Sequence, residues 1–219
     1  MGIVIDHNDE AYIKKRKWLG KNGFNGAHYY SCEIGQYFIP TIETDRNWIT
    51  VGTDKGIDHS IVFVHETLSG ENSWKKYEHL FGFDDIVYVV CMRDMVKQFE
   101  PFGKVLYLPI SVDVPYVEQF RCEKDRDTTF AGRDEWKEKG VLPKGIDSLG
   151  MCPREELLSE MARYKTVYAE CRTAVEAKVL GCEVVKYHPL FKNEPWDVFD
   201  SRDAAKMLQE KLHEIDGVS

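Results

Sequence analysis

No apolar run in this chain approaches the ~20 residues needed to cross a bilayer as a helix, so no membrane-spanning helix is expected. Its six cysteines, at 32, 91, 122, 152, 171 and 182, form no C-x-x-C pair. That spacing gives zinc little support and points to reduced, mostly buried thiols of a cytoplasmic protein. Positive charge is in deficit: 29 Lys and Arg stand against 37 Asp and Glu, a net charge of −8. Binding to a nucleic-acid backbone rests on neutralising phosphates, so nucleic acid is not expected as the main partner. The chain has no G-x-x-x-x-G-K-[ST] and no G-x-G-x-x-G, which removes the P-loop and the dinucleotide fingerprint. It has no G-x-S-x-G elbow, and His65-Glu66-Thr67 lacks the second histidine of a zincin. The opening MGIVIDHNDEAY has no basic stretch ahead of its apolar residues, so no secretory leader is expected. Asp6 stands where N-myristoylation needs Ser or Thr.

What is present is ordinary globular material. The chain has 219 residues, 43% of them apolar, and a mean hydropathy of −0.42. That is enough for one large domain or two small ones.

Read in order, Gly2 to Ile5 is a short apolar strand. Asp6 to Asp9, which includes His7, is a capping cluster ahead of a helix from Glu10 to Leu19. Lys14 to Lys17 reads as the solvated face of that helix. The segments at His28–Cys32, Tyr37–Ile39 and Trp48–Val51 carry the aromatics and β-branched residues of strands. Ser60–Val64 and Asp85–Val90 are continuous apolar runs, the mark of parallel strands covered on both faces. The first ends in His65, at a strand mouth where doubly wound sheets take ligands. A helix is expected over Met92–Phe99, a strand at Val105–Leu108, and a charged linker over Pro115–Asp127. Thr128–Ala131 is the next strand, followed by Gly132 and Arg133. Arg154–Tyr164 is a helix with Pro153 in its first turn and an apolar stripe of Leu157, Leu158 and Met161.

The stretch Thr166–Tyr187, TVYAECRTAVEAKVLGCEVVKY, is the most informative. It reads as a strand end at Val167–Ala169, a carboxylate (Glu170), a loop, a helix that has begun by Val175–Leu180, a stop at Gly181, and a new strand at Val184–Val185. Glycine at that stop accepts the left-handed conformation without strain. Ligands of such βαβ units sit at strand carboxyl ends against helix N-termini, where Glu170 and Glu176 fall. Asp200 and Ser201 cap a last helix from Arg202 to Ile215.

"VEAKVLGCEVV" resembles the donor-site segment of the GT-B glycosyltransferases. "FAGR…KEKG" is similar to the first strand and loop of that family's C-terminal domain. Pro109–Asp113, PISVD, is similar to the end of its N-terminal domain. The resemblance implies an α/β protein of two small doubly wound, Rossmann-like domains facing a cleft, at residues 1–118 and 119–219. It implies transfer of a sugar from a nucleoside diphosphate sugar to an acceptor hydroxyl, without a metal or resident cofactor. Glu176 would hold the ribose, and Glu170 would address the sugar in a loop shortened by two residues. Arg133 would neutralise the diphosphate, together with Lys137 or Lys139; the spacing before Gly140 favours Lys139. Gly132, Arg172 and Thr173 would line the phosphate side at the helix N-terminus, and His65 would stand on the acceptor side. The paired glutamates imply retention at the anomeric carbon. Only about ten residues separate Gly140 from Gly150, so the C-terminal domain is abbreviated. Two rivals follow: a non-catalytic module of the same fold that binds a nucleotide or sugar nucleotide, and a flavodoxin-like hydrolase or transferase using His7, His65 and a cysteine.

Overall fold

A computed structural model describes residues 34–49, 58–64, 77–78, 80–132, 140–150 and 152–217. His7, the expected first helix, the segment 28–32, His65, Arg133, Lys137 and Lys139 lie outside the described residues. The fold is α/β and forms two compact units, each built on a four-stranded parallel sheet.

Unit 1 covers 34–109 and 202–217 among the described residues. Its strands are β1 (Asn47–Ile49), β2 (Ser60–Val64), β3 (Ile86–Val90) and β4 (Lys104–Tyr107), in the order β1-β2-β3-β4, all parallel. Every residue of β2 and β3 is buried, as their unbroken apolar runs predict for a sheet covered on both faces. Helix α1 (Arg93–Phe99) connects β3 to β4. The expected strand at Tyr37–Ile39 is instead a π-helical turn, Ile34–Phe38. Tertiary packing overrides β propensity there, because fully buried Phe38 meets Phe63 edge-to-face at 5.8 Å.

Unit 2 covers 110–201 of the described residues. The order is β6 (Asp147–Ser148), β5 (Arg126–Phe130), β7 (Tyr164–Tyr168) and β8 (Glu183–Val185), again all parallel. The helices are α2 (Val114–Glu118), α3 (Arg154–Met161) and α4 (Cys171–Val179). The stretch expected as a linker holds α2 and the start of β5. Asp113 caps α2 by accepting from the Tyr116 N–H at 3.3 Å, an N-cap signal followed by Pro115 in the first turn. The expected division at residue 118 thus falls inside unit 2. The final helix, α5 (Ser201–Asp216), is grouped with unit 1 from Arg202 onward, which a division in chain order does not anticipate.

The end of α4 follows the sequence reading. Gly181 has φ +79°, the Cys182 N–H reaches Ala177 O at 2.9 Å, and the Gly181 N–H reaches Lys178 O at 2.9 Å. These are the two bonds of a Schellman motif. Lys124 Nζ lies over the same region and donates to Leu180 O at 2.8 Å and Ala162 O at 2.6 Å. One cation therefore serves the C-terminal ends of both α3 and α4, where the helix dipoles favour positive charge.

The amino ends of the unit 1 strands carry a charge network. Arg46, with its side chain 2% exposed, pairs with Asp85 and with Asp216 of α5. His59 bridges Asp85, Nδ1 to Oδ2 at 2.6 Å, and Asp45, Nε2 to Oδ1 at 2.9 Å. Burial acts to raise Asp85, but bonds from His59 and Arg46 outweigh it and hold the carboxyl at about 2. The bonds to Asp45 and Asp85 raise His59 above its ordinary value, against a small desolvation. A raised histidine stabilises the fold fully below its unfolded value near 6.5 and loses that contribution as pH rises through the folded value. Because the imidazole is 40% exposed, the loss will be a few tenths to about 1 kcal/mol. Urea unfolding at pH 6 and pH 8.5 checks this. The wild type will be more stable at the lower pH by that margin relative to His59→Gln, whereas parallel pH profiles would contradict it.

Candidate functional site

The carboxyl edge of the unit 2 sheet gathers those described residues to which the resemblance assigned donor roles: Gly132, Glu170, Arg172, Thr173 and Glu176. Phe130, Tyr168 and Val185 lie side by side in register on β5, β7 and β8. Gly132, Glu170 and Tyr187 each stand two residues beyond, so they meet at one level past the strand ends. Ladder bonds carry the sheet outward, from the Ala131 N–H to Tyr168 O at 3.1 Å and from the Ala169 N–H to Val185 O at 3.2 Å.

Glu170 occupies the N-cap position of α4, but its side chain makes no cap bond. It turns toward β8 instead. Oε1 accepts from the backbone N–H of Tyr187 and of His188, each at 2.8 Å, and Oε2 accepts from Trp196 Nε1 at 2.7 Å. The residue is 5% exposed. Burial pushes its carboxyl above the ordinary carboxylate range, and the three donors only partly offset that push. Glu170 thus ties the exit of β8 and the segment to Trp196 onto the β7–α4 turn. The turn is tight: Cys171 has φ +56°, a left-handed conformation uncommon outside glycine.

Arg172 and Glu176 lie one turn apart on the buried side of α4. Arg172 Nε donates to Glu176 Oε1 at 2.8 Å, and an Arg154 Nη atom at the start of α3 stands 2.9 Å from that same oxygen. The Arg154 guanidinium also lies over the Tyr116 ring of α2, 5.3 Å from its centroid. All three charged side chains are less than a tenth exposed. Two guanidiniums on one carboxylate leave an excess positive charge in the cluster. Thr173 is half-buried in the first turn of α4.

Gly132 is close-packed: a Cβ there would lie 2.7 Å from Phe130 Cζ and 3.0 Å from the Tyr187 hydroxyl. The structure therefore brings Gly132, Glu170, Arg172, Thr173 and Glu176 to one edge of one sheet, while Arg133, Lys139 and His65 lie outside the described residues. The partners Arg154, Tyr187, His188 and Trp196 were missed in the sequence, because contacts across 17 to 26 residues leave no local spacing pattern. Among the described residues, no three His, Cys, Asp or Glu side chains group as metal ligands, and no helix is long and apolar enough to cross a membrane.

Fold and edge define a class: an α/β protein of two Rossmann-like parallel sheets, with a charged cluster beyond the strands of the second. No protein-family model matches the chain, and no curated protein or solved structure matches it either.

Proposed function

We propose that the chain is a glycosyltransferase of the GT-B kind, with unit 2 holding a nucleoside diphosphate sugar and transferring the sugar to an acceptor hydroxyl. The observation that carries this reading is the β7–turn–α4–β8 unit, which sets Arg172 and Thr173 in the first turn of α4, with Glu176 one turn further on, past the carboxyl end of a parallel strand. That is the position where such sheets take phosphorylated ligands. Glu176 commits Oε1 to its two arginines; Oε2 is the atom assigned to a ribose hydroxyl. Arg172 and the first N–H groups of α4, with Arg133 and Lys139, are assigned to the diphosphate, whose charge grows as it leaves. In the retaining course the bond from the anomeric carbon to the phosphate oxygen breaks and the bond to the acceptor oxygen forms. The acceptor's proton passes to the leaving diphosphate. His65 keeps its assignment on the acceptor side.

Glu170 supports a second reading, a module that binds the sugar nucleotide without transfer. Its two oxygens already accept three protein N–H donors, and a contact to the sugar would have to share or displace them. One experiment separates the two. UDP-, GDP-, ADP- and dTDP-sugars are screened by thermal shift and by release of nucleoside diphosphate, with Glu176→Gln as control. Transfer predicts stabilisation by at least one donor, as mass action requires of a native-state ligand, together with diphosphate release and loss of both in the variant. Stabilisation without release supports the module. No response to any donor contradicts both.

A further inference from the structure

The two oxygens of Glu176 are used unequally. Oε1 accepts from Arg172 Nε at 2.8 Å and stands 2.9 Å from an Arg154 Nη atom. Among the described residues, no donor is bonded to Oε2. The side chain is 5% exposed, so its carboxylate is held inside the protein by one oxygen only. The two cations that hold it come from different helices. Arg172 sits four residues back on α4 itself, where such a pair can swing together. Arg154 opens α3 and reaches Glu176 from outside its helix. Contacts from two directions fix the carboxylate before any ligand arrives, and ordering it in advance removes that cost from binding.

Arg154 has little freedom of its own. Its side chain is 9% exposed, and its guanidinium lies over the Tyr116 ring, 5.3 Å from the centroid, a cation–π contact. Tyr116 belongs to α2, where its N–H is bonded to Asp113 at 3.3 Å. Its hydroxyl donates to Glu155 Oε1 at 3.4 Å, on the residue next to Arg154. Tyr116, Arg154 and Glu176 therefore form a chain of contacts across α2, α3 and α4. Charge balance does not require this arrangement, because Arg172 alone neutralises Glu176.

We infer that Arg154 is a positioning residue for ribose recognition: fixed by Tyr116, it holds Glu176 through Oε1 and leaves Oε2 to accept from the ribose hydroxyls. This rests on the donor-binding reading and deepens it. A site that spends a fixed carboxylate oxygen on a hydroxyl rejects the analogue lacking that hydroxyl. Unit 2 is thereby assigned a preference for ribonucleotides over their 2′-deoxy counterparts.

The test uses the full chain and calorimetric titrations of UDP, GDP and ADP beside dUDP, dGDP and dADP. The readout is the ribose preference, the ratio of the 2′-deoxy Kd to the ribonucleotide Kd. The wild type is expected to favour the ribonucleotide about tenfold with at least one base, the size of one hydrogen bond to a carboxylate. Arg154→Met keeps the neutral Arg172–Glu176 pair and is expected to lower the preference about fivefold, through weaker binding of the ribonucleotide. Should Arg154→Met fail to fold, Tyr116→Leu, which removes the ring under the guanidinium, carries the same direction of change. An unchanged preference in the variant that folds overturns the inference and leaves the donor-binding reading intact. An equal loss of ribonucleotide and 2′-deoxy affinity, the mark of a merely structural role, overturns it too. A wild type that binds diphosphates with no ribose preference overturns the inference together with the ribose role of Glu176. A wild type that binds no diphosphate overturns the donor-binding reading itself.

Discussion

Glu170→Ala will destabilise unit 2 by about 3–5 kcal/mol, more than most single substitutions in a core. The carboxylate is buried and accepts the Tyr187 and His188 N–H groups and Trp196 Nε1. Alanine leaves all three donors in a dry site without an acceptor, and each orphaned polar group costs about 1–3 kcal/mol. The sum is discounted because the 187–196 segment can relax toward water. Glu170→Gln keeps one oxygen but points an amide N–H₂ at a donor, so a smaller loss of about 1–3 kcal/mol is expected. Urea denaturation followed by circular dichroism measures both. A carboxylate serving the sugar alone would abolish transfer and leave stability within about 0.5 kcal/mol, and that result would remove Glu170 from its structural role.

Glu176→Leu is expected to cost a similar amount, about 3–5 kcal/mol, for a different reason. The substitution strips the shared anion from Arg154 and Arg172, which lie 2.9 and 2.8 Å from Oε1. Two like charges then face each other with less than a tenth of each side chain in water. Coulomb repulsion and uncompensated desolvation add rather than cancel. Adding Arg172→Met to Glu176→Leu should recover part of the loss, because it removes one of the two stranded charges. Additive losses in that double-mutant cycle would contradict a shared ion cluster. Nucleotide affinity provides an independent readout, since Glu176→Gln keeps the shape of the side chain while changing its charge.

Much of the fold was legible in the sequence. The runs Ser60–Val64 and Asp85–Val90 read as buried strands because a parallel sheet covered on both faces admits no alternation, and β2 and β3 fall there. Gly181 read as a helix stop because the Schellman geometry needs the left-handed conformation it shows. Asp200 and Ser201 similarly announced the last helix. The failures share a cause. Phe38 lies in a π-helical turn because of Phe63, far along the chain; Asp113 starts a helix that runs into a segment its charge marked as linker. At the candidate site the strand–loop–helix order was readable, but the helix starts at Cys171 rather than near Val175, so Arg172 lies in its first turn and Glu176 in its second. Their ion pairing with Arg154, and the binding of Glu170 to the β8 exit, depend on which strands lie adjacent, and single-sequence spacing does not encode that.

The central claim is that the carboxyl edge of the unit 2 sheet holds a nucleoside diphosphate. Hydrogen–deuterium exchange of the full chain, with and without saturating UDP, GDP, ADP or dTDP, tests it most directly. Slowed exchange by at least one diphosphate at the amides of 169–176 and 130–132 is the predicted result. Unchanged exchange at those amides with every diphosphate, or protection confined to unit 1, would contradict it.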